Sequence, residues 1–354
     1  MLDTFRSSSK LFNTFCGHTN HVLGIDYSIF NGNNLLCSGS SDQTVRVWNV
    51  DNNKQIQLFD GHSGNVFCVK FSQYHYHYYR QNVICSSSFD HTIRFWDFKN
   101  NQQVQMLNKR KITFVALEFS PFSGGRYLCS GSDDNTIHLW DVETYKPLHV
   151  FNGHENCVRC VDISPLQTNS NNNNENNCIG VIGGNGYTIC SGSYDATICI
   201  WDIETAKQYI ILKGHKDDVD SVKYGSNELL NTVLSGSDDK SVCLWDIRSG
   251  QQIQVFNGHT SLVCAVEYSP FIVDNNEVGG TPNVICSGSL DNTIRFWDIR
   301  SNKRELYAIK GNDEKDIGIT CFKFLKLKNR KVNNDRSCIN LCYGSGKGPI
   351  RIWE

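Results

Sequence analysis

The chain has 354 residues, of which 34 are Lys or Arg and 36 are Asp or Glu, so its formal net charge is −2. This balance argues against a dedicated binder of nucleic acid, because such proteins usually carry a strong basic excess. The sequence has no apolar run near the ~18 residues that a membrane helix needs. The first ten residues are polar and lack the apolar core of a signal peptide. We therefore expect a protein of the cytoplasm or nucleus, without a membrane segment.

Seven tryptophans recur along the chain at intervals of 44 to 61 residues, and each is followed by Asp, Asn or Glu. Length alone would predict two domains, but a repeat of this kind replaces that estimate with one array. Six of the 16 cysteines recur at one position of the repeat, where we expect them to act as small buried hydrophobes of a reducing compartment. They are Cys37, Cys85, Cys129, Cys190, Cys286 and Cys342.

In chain order, a polar tail (residues 1–10) precedes a short strand at residues 11–15. Each repeat then has a Gly-His pair, an apolar strand, a second strand ending in Ser-Gly-Ser-x-Asp and a third ending in Trp-Asp. Asp followed two residues later by Thr or Ser indicates a hairpin, because short oxygen side chains bond the local backbone. A fourth stretch, such as residues 55–59, alternates apolar and polar residues like an outer strand with one solvated face. The unit is a four-stranded antiparallel meander.

The Gly-His and Trp-Asp pairs resemble the signature of the WD-repeat (WD40) family. The resemblance covers residues 11–354 and implies an all-β fold, a seven-bladed β-propeller of four-stranded antiparallel blades around a central channel. The last repeat stops at Trp353-Glu354, after its third strand. We therefore expect the strand at 11–15 to complete the last blade, which would close the ring and remove exposed sheet edges. The predicted domains are the tail, 1–10, and one propeller, 11–354.

His, Ser, Asp and Trp recur together in five repeats. Catalysis needs one such set beside a cleft, whereas a set repeated five times with a Trp donor indicates a structural network that satisfies buried polar groups. The family resemblance implies the same structural tetrad, so we predict no catalytic residue and no enzyme. The tetrads are His18, Ser38, Asp42 and Trp48; His62, Ser86, Asp90 and Trp96; His154, Ser191, Asp195 and Trp201; His215, Ser235, Asp239 and Trp245; and His259, Ser287, Asp291 and Trp297.

Two repeats depart from this pattern. The third has Lys109-Arg110 where Gly-His belongs, and the seventh has Tyr343 at the Ser position and Lys347 at the Asp position. We expect these two blades to lack the complete network, and to be either softer or functionally specialised.

Insertions fall between the first and second strands of several repeats. The Asn-rich stretch at 165–186 cannot bury a core, and we interpret it as a disordered neutral insertion rather than a binding segment. His75 and His77 would share one strand face, but without Cys or carboxylate neighbours we expect no metal there. The seventh repeat has a basic insertion, which we interpret as solvated surface rather than a patch for RNA or an acidic partner. Its residues are Lys326, Lys328, Arg330, Lys331 and Arg336.

The residues that enter each innermost strand, and the residue before each turn Asp, would surround the channel mouth. In the family this rim binds peptide segments. Its aromatic residues are favoured interface anchors, and the carboxylates of the fifth repeat would attract Lys or Arg. We therefore expect a partner segment with a basic side chain and an apolar anchor; the alternative is that the aromatics cap the core. The rim residues are His21, Leu23, Asn65, Phe67, Phe89, Asp133, Arg159, Tyr194, Asp218, Asp220, Asp238, Leu262 and Leu290.

The leading interpretation is a non-catalytic scaffold, a monomeric ring within a larger complex, without a cofactor. The first alternative is a substrate receptor of a cullin-RING ubiquitin ligase, because Trp-Asp-Ile-Arg ending at Arg248 and at Arg300 resembles the WDxR motif that binds the ligase adaptor. A heterotrimeric G-protein β subunit is disfavoured, since about ten polar residues precede the first strand. An enzyme is disfavoured because no phosphate loop, metal cluster or activated nucleophile is recognisable.

Overall fold

The computed structural model describes residues 9–164, 187–225, 229–270, 283–300, 305–328 and 337–354. Within these ranges the strands form seven antiparallel sheets of four strands each, which confirms the predicted seven-bladed propeller. In each blade consecutive strands are neighbours, from the innermost to the outermost. Blade 1 has β2 (Val22–Phe30), β3 (Asn33–Ser40), β4 (Val45–Asn49) and β5 (Lys54–Phe59); blade 2 has β6 (Val66–Phe71), β7 (Val83–Ser88), β8 (Thr92–Asp97) and β9 (Gln102–Asn108); blade 3 has β10 (Phe114–Phe119), β11 (Tyr127–Ser132), β12 (Thr136–Asp141) and β13 (Lys146–Asn152).

The remaining blades follow the same order around the ring. Blade 4 has β14 (Val158–Ile163), β15 (Thr188–Ser193), β16 (Thr197–Asp202) and β17 (Lys207–Lys213); blade 5 has β18 (Val219–Tyr224), β19 (Thr232–Ser237), β20 (Ser241–Asp246) and β21 (Gln251–Asn257); blade 6 has β22 (Val263–Tyr268), β23 (Val284–Ser289), β24 (Thr293–Asp298) and β25 (Glu305–Lys310); blade 7 has β26 (Ile319–Lys328), β27 (Ser337–Ser345), β28 (Ile350–Trp353) and β1 (Leu11–Phe15).

The ring closes through the two ends of the chain. Strand β1 pairs antiparallel with β28, with Phe15 opposite Ile350 and Leu11 opposite Trp353. Each innermost strand packs against the innermost strands of the neighbouring blades, and β2 of blade 1 packs against β26 of blade 7. The N-terminal strand therefore completes the last blade, as predicted from the missing fourth strand of the seventh repeat.

The core lies between neighbouring blades, and the second strand of each blade is its most buried part. In β7 every side chain is buried, because blades pack against both faces of its sheet. The Ser-Gly-Ser motif follows from this packing: a Cβ at Gly192 would lie 2.6 Å from Cγ1 of Val219 in the next blade. A larger residue at that position would push the two blades apart.

Each blade has a β-bulge in its innermost strand and another in its outermost strand. In the outermost strand the extra residue is apolar in all seven blades: Phe12, Ile56, Val104, Leu148, Tyr209, Ile253 and Leu306. The alternation of β5 predicted polar residues on the solvated face, but Ile56 and Leu58 are each 41% exposed. A bulge shifts the alternation by one residue and disrupts the ladder, which protects an edge strand from pairing with other chains.

The Tyr- and His-rich stretch of blade 2 forms a helix, α1 (Gln73–Tyr79), so the predicted strand is wrong. Residues two apart lie on opposite sides of a helix with 3.6 residues per turn, so His75 and His77 do not share a face. His75 is buried between the Ser72 hydroxyl, 2.7 Å from Nδ1, and the Tyr145 hydroxyl, 2.9 Å from Nε2, whereas His77 is exposed. A 3-10 turn, Ser123–Gly125, packs against α1.

The described residues include no group of three or more His, Cys, Asp or Glu side chains placed to hold a metal. Within the same ranges, no helix is long and apolar enough to cross a membrane. Of the insertions considered above, residues 165–186 and the basic positions Arg330, Lys331 and Arg336 lie outside the described residues. Lys326 and Lys328 belong to β26, where the Lys326 side chain is exposed.

Candidate functional site

The recurring His, Ser, Asp and Trp side chains form one hydrogen-bonded chain in each of five blades. In blade 1 the Trp48 indole N–H donates to the Ser38 hydroxyl oxygen at 2.9 Å. Ser38 Oγ lies 2.7 Å from His18 Nε2, and His18 Nδ1 lies 2.8 Å from an Asp42 oxygen. Since an indole can only donate and a carboxylate only accepts, Ser38 donates to Nε2 and His18 donates to Asp42. Blades 2, 4, 5 and 6 repeat these contacts at 2.7 to 2.9 Å.

The turn aspartates at the ends of these networks are held ionised. Burial would raise the pKa of Asp42, but hydrogen bonds from His18, Thr44 and the Thr19 N–H outweigh it and lower the pKa well below 3.8. The same balance lowers the pKa of the corresponding aspartate in the other four networks. In each network the charged aspartate therefore has its hydrogen-bond donors within the blade. These hydrogen bonds stabilise the turn.

Blade 3 has a different network built around His138. The Trp140 indole still donates to Ser130 Oγ at 2.9 Å. Lys109 Nζ donates to His138 Nδ1 at 3.2 Å and lies 5.6 Å from the centre of the Trp140 ring, and His138 Nε2 lies 3.0 Å from Thr136 Oγ1. His138 thus sits where four other blades have Arg, and Lys109 packs on the Trp that the missing Gly-His would have covered.

Blade 7 replaces the tetrad with an ion pair that the sequence analysis missed. Arg351 Nε lies 2.8 Å from both oxygens of Asp316, and the Tyr343 hydroxyl donates to Asp316 at 3.1 Å. Asp316 is fully buried. It lies outside any repeat motif, so the signal that could have found it is Arg351, two residues before Trp353, where blades 1 and 2 have Arg46 and Arg94.

At the channel mouth one backbone hydrogen bond recurs in all seven blades. The N–H of the residue before the turn Asp, or its equivalent, donates to the carbonyl of a residue just ahead of the innermost strand, at 2.9 to 3.2 Å. Two residues further on, the innermost strand has its β-bulge, so the bulged residue has no partner in the second strand. We call the bonded pairs and the bulged residues together the channel-mouth rim. The pairs are His21–Ser41, Asn65–Phe89, Thr113–Asp133, Cys157–Tyr194, Asp218–Asp238, Leu262–Leu290 and Gly318–Gly346. The bulged residues are Leu23, Phe67, Val115, Arg159, Asp220, Cys264 and Thr320.

The apolar residues of the rim occupy neighbouring blades. In blade 2 the rings of Phe67 and Phe89 meet edge to face with their centres 6.5 Å apart, and Phe89 is 58% exposed. Such exposure does not fit a residue that caps the core. Leu290 of blade 6 is 37% exposed, and Ile317, just before the blade 7 pair, is 58% exposed. Sequence reasoning missed Ile317, because the seventh repeat lacks the motif by which the other rim positions were aligned.

Apart from Asp133 of blade 3, the charged residues of the rim lie in blades 4 and 5, where they partly neutralise one another. Arg159 Nε donates to Asp220 at 3.1 Å, and the Arg159 guanidinium lies 4.9 Å from the centre of the Tyr194 ring. Burial, together with the neighbouring carboxylates of Asp220 and Asp218, raises the pKa of Asp238 to about 7. Asp220 is therefore paired with Arg159, whereas the surroundings of Asp238 disfavour its ionisation.

Three residues after the bulged residue, each of the seven innermost strands has a charged residue; we call these seven residues the charge belt. Lys70 lies 2.6 Å from Glu118, and Lys223 lies 3.3 Å from Glu118 and 3.1 Å from Asp162, so ion pairs connect the innermost strands of blades 2 to 5. An alignment of the first strands of the repeats could have revealed the charge belt. Its members are Asp26, Lys70, Glu118, Asp162, Lys223, Glu267 and Lys323, opposite Cys in six second strands and Leu234 in the remaining one.

The arginines of the Trp-Asp-Ile-Arg sequences lie in the turns after the third strands of blades 5 and 6. Arg248 is exposed. The Arg300 guanidinium lies 3.3 Å from the Asp298 carboxylate, and its side chain is 42% exposed.

Comparison with known proteins identifies the family. The sequence profile described as "WD domain, G-beta repeat" matches residues 9–49, 53–97, 105–141, 145–202, 206–246 and 250–298. The chain belongs to the WD-repeat family. The matched ranges end before the seventh repeat, which agrees with the absence of the tetrad from blade 7.

Curated relatives share shorter stretches. Cell division control protein 4 of Saccharomyces cerevisiae is 28% identical over 225 residues, which is 63% of this chain and 23% of that protein. Nuclear distribution protein PAC1 of Fusarium vanettenii is 41% identical over 63 residues, 18% of this chain and 14% of its own. Kinesin-like protein KIF21A of Homo sapiens is 40% identical over 58 residues, 16% of this chain and 3% of its own. The chain thus spans less than a quarter of the length of these relatives.

Proposed function

We propose that this WD-repeat protein is a non-catalytic scaffold that binds an extended segment of a partner protein across the channel-mouth rim. The observation that supports this most directly is an exposed apolar sector, which consists of the rim residues Phe89 and Leu290 with Ile317 beside the blade 7 pair; Phe89 and Ile317 are each 58% exposed. Exposed aromatic and aliphatic side chains on a rigid frame are typical anchors of a binding surface.

The rest of the rim favours a segment with two kinds of anchor. Asp217, Asp218 and Asp238 crowd together in blade 5, and this local charge would be relieved by a Lys or Arg of the partner. The apolar sector begins in the next blade with Leu290 and continues through Ile317 to blade 2. Because the paired charges of the charge belt lie on the innermost strands below the rim, we expect the segment to lie over the mouth rather than pass through the channel.

The test compares partner recovery by three purified forms of the chain. Phe89→Ala with Ile317→Ala removes exposed rim anchors, and Tyr78→Ala, on helix α1 and 62% exposed, is the matched control away from the rim. We expect affinity purification with mass spectrometry to lose specific partners for the rim variant and to retain them for Tyr78→Ala. An unchanged partner list for a folded rim variant would contradict the proposal.

A ligase receptor is the second candidate, and it is favoured by the equivalent placement of Arg248 and Arg300 after the third strands of adjacent blades. Under this proposal, the double substitution Arg248→Ala and Arg300→Ala abolishes co-purification of the ligase adaptor while leaving recovery of rim partners unchanged. Absence of any adaptor from the wild-type sample would remove this candidate.

A further inference from the structure

One position of the third strand differs among the blades in size and charge. The residue two before each Trp is Arg in four blades, His138 in blade 3, and Cys199 and Cys243 in blades 4 and 5. The arginines are Arg46, Arg94, Arg295 and Arg351. The fold therefore holds a guanidinium at this position in most blades and a much shorter side chain in two.

Blade 2 shows how the fold holds this guanidinium. Arg94 Nε donates to Thr92 Oγ1 at 3.1 Å, Nη1 donates to Gln103 Oε1 at 3.0 Å, and Nη2 donates to Asp90 at 3.4 Å. The turn Asp, the turn Thr and the residue of the outermost strand that stands opposite the Trp thus form a three-part acceptor set. This set matches the planar fork of donors that Arg presents and an ammonium lacks.

Blades 1 and 6 use equivalent acceptors. In blade 1, Arg46 Nη1 donates to Gln55 at 2.7 Å and Nε to Thr44 at 3.4 Å. In blade 6, Arg295 donates to Thr293 at 3.3 Å and also bonds Glu305. The acceptors rather than the arginine define what this position of the blade recognises, because they recur also where the arginine is missing.

Blade 4 keeps the acceptors without the guanidinium. Asp195 and Thr197 hold the same turn contact as in the other blades, and Gln208 stands opposite Trp201 as Gln103 stands opposite Trp96. Cys199 occupies only part of the space that a guanidinium fills in blade 2: its sulfur accepts a hydrogen bond from Gln208 Nε2 at 3.0 Å and lies 3.8 Å from Thr197 Oγ1. That space is part of a surface pocket of 290 Å³, whose lining includes Asp195, Thr197, Cys199, Gln208, Glu155 and Lys213.

We propose that this pocket of blade 4 is a binding site for a guanidinium group supplied from outside the chain, either the side chain of an arginine in a partner protein or free arginine. Asp195, Thr197 and Gln208 accept its N–H groups as their counterparts accept those of Arg94 in blade 2. Glu155 and Lys213 bring opposite charges to the wall, and the methylene groups of the ligand lie toward Ile211, which lines the pocket and is 46% exposed. The site is separate from the channel-mouth rim and does not depend on the function proposed for it.

The pKa of the histidine beside this position offers a readout of binding in the pocket. In blade 1, burial lowers the pKa of His18, and the cation of Arg46 lowers it further. In blade 4, burial would also lower the pKa of His154, but the Asp195 hydrogen bond and the neighbouring Cys199 raise it to about 9. A guanidinium bound in the pocket would add the cation that blade 4 lacks, so we expect the pKa of His154 to fall on binding. The other titratable groups lining the pocket are Glu155, Lys213 and His215.

The experiment uses the whole chain with three probes and one control: the probes are guanidinium ion, free L-arginine, and arginine capped at both ends as a mimic of a chain residue, and the control is lysine capped in the same way. They are added at millimolar concentration, far below the molar range in which guanidinium unfolds proteins. The readouts are crystallographic density between Asp195, Thr197 and Gln208, and the NMR titration of His154. We expect density in the pocket and a lowered His154 pKa with capped arginine, and neither with capped lysine. Stronger binding of free arginine than of the capped form would identify the free amino acid as the source, and the reverse would identify a protein side chain.

Two variants keep the test decisive. Cys199→Arg places the residue of blades 1, 2 and 6 into the pocket, so it is expected to fold and to weaken probe binding by about tenfold or more. Gln208→Leu removes one acceptor without filling the space, so it should also weaken binding. It provides the test if Cys199→Arg does not fold. Empty density with an unchanged His154 titration in the wild-type chain would overturn the proposal. Equal binding of capped arginine by wild type and Gln208→Leu would do so as well.

Discussion

Arg159 of blade 4 and Asp220 of blade 5 form an ion pair across the boundary between two blades, at 3.1 Å, with the guanidinium packed over Tyr194. Both residues are the bulged residues of their innermost strands. A bulge turns an extra side chain out of the ladder, and here two adjacent bulges bring opposite charges together at the channel mouth. The cation has one effect within the chain: it offsets part of the repulsion among the carboxylates of blade 5.

We therefore expect Arg159→Met to destabilise the protein by about 1–3 kcal/mol, since it leaves a largely buried carboxylate without its partner while keeping the aliphatic stem. Urea unfolding at pH 7 measures the loss. The loss should shrink at pH 5, where Asp238 is protonated and the remaining repulsion is weaker. Arg248→Met, at an exposed position, is the control, and an equal loss for both variants would argue against the role of the ion pair.

A second prediction concerns Asp238. Burial, together with the neighbouring Asp220, raises the pKa of this side chain to about 7. An acid whose pKa is higher in the folded than in the unfolded chain binds more protons when folded, so its contribution to stability is present at low pH and lost as pH rises from about 4 to above 7. Asp238→Asn removes this dependence. Relative to wild type, the variant should be more stable at pH 8 than at pH 5, as measured by the difference in unfolding free energy. A difference that does not change with pH would contradict the raised pKa.

The tetrads allow a matched comparison of one substitution in two blades. Ser86→Ala in blade 2 leaves both the Trp96 N–H and His62 Nε2 without a partner, whereas Ser130→Ala in blade 3 leaves the Trp140 N–H alone. Each buried polar group left unpaired costs about 1–3 kcal/mol. Ser86→Ala should therefore cost roughly twice as much as Ser130→Ala in equilibrium unfolding. Equal costs would mean that the His contact adds nothing to the stability of the blade.

The fold could be predicted because its signals are local and repeated. Each Trp-Asp and each Asp turn marks the end of one strand, so counting them gives the number of blades. The missing fourth strand of the last repeat likewise predicts that the strand at 11–15 pairs with the last repeat. Both inferences depend only on the order of motifs along the chain, which can be read from a single sequence.

The details of the site depend on contacts between repeats, and the sequence does not display those. Asp220 could be identified as a rim position, but its partner Arg159 lies 61 residues away in another blade. Asp316 replaces the tetrad of blade 7 from a loop that has no motif. The exposure of Ile56 could not be predicted from alternation either, since one bulged residue reverses the two faces of its strand.

The closing strand gives the last prediction, which compares two phenylalanines of β1. Phe15 is buried, with its ring centre 5.1 Å from that of Trp48 in blade 1, whereas Phe12 is the bulged residue of the same strand and is 51% exposed. Phe15→Ala should cost about 3–5 kcal/mol of unfolding free energy, because it removes a buried aromatic side chain and leaves a cavity. Phe12→Ala should change stability by less than about 0.5 kcal/mol. If β1 holds the ring closed, Phe15→Ala also lowers the midpoint of a single cooperative transition, because every blade depends on its neighbours. A small loss for Phe15→Ala, or a separate early transition that leaves the main midpoint unchanged, would show that the other blades hold together without the closing strand.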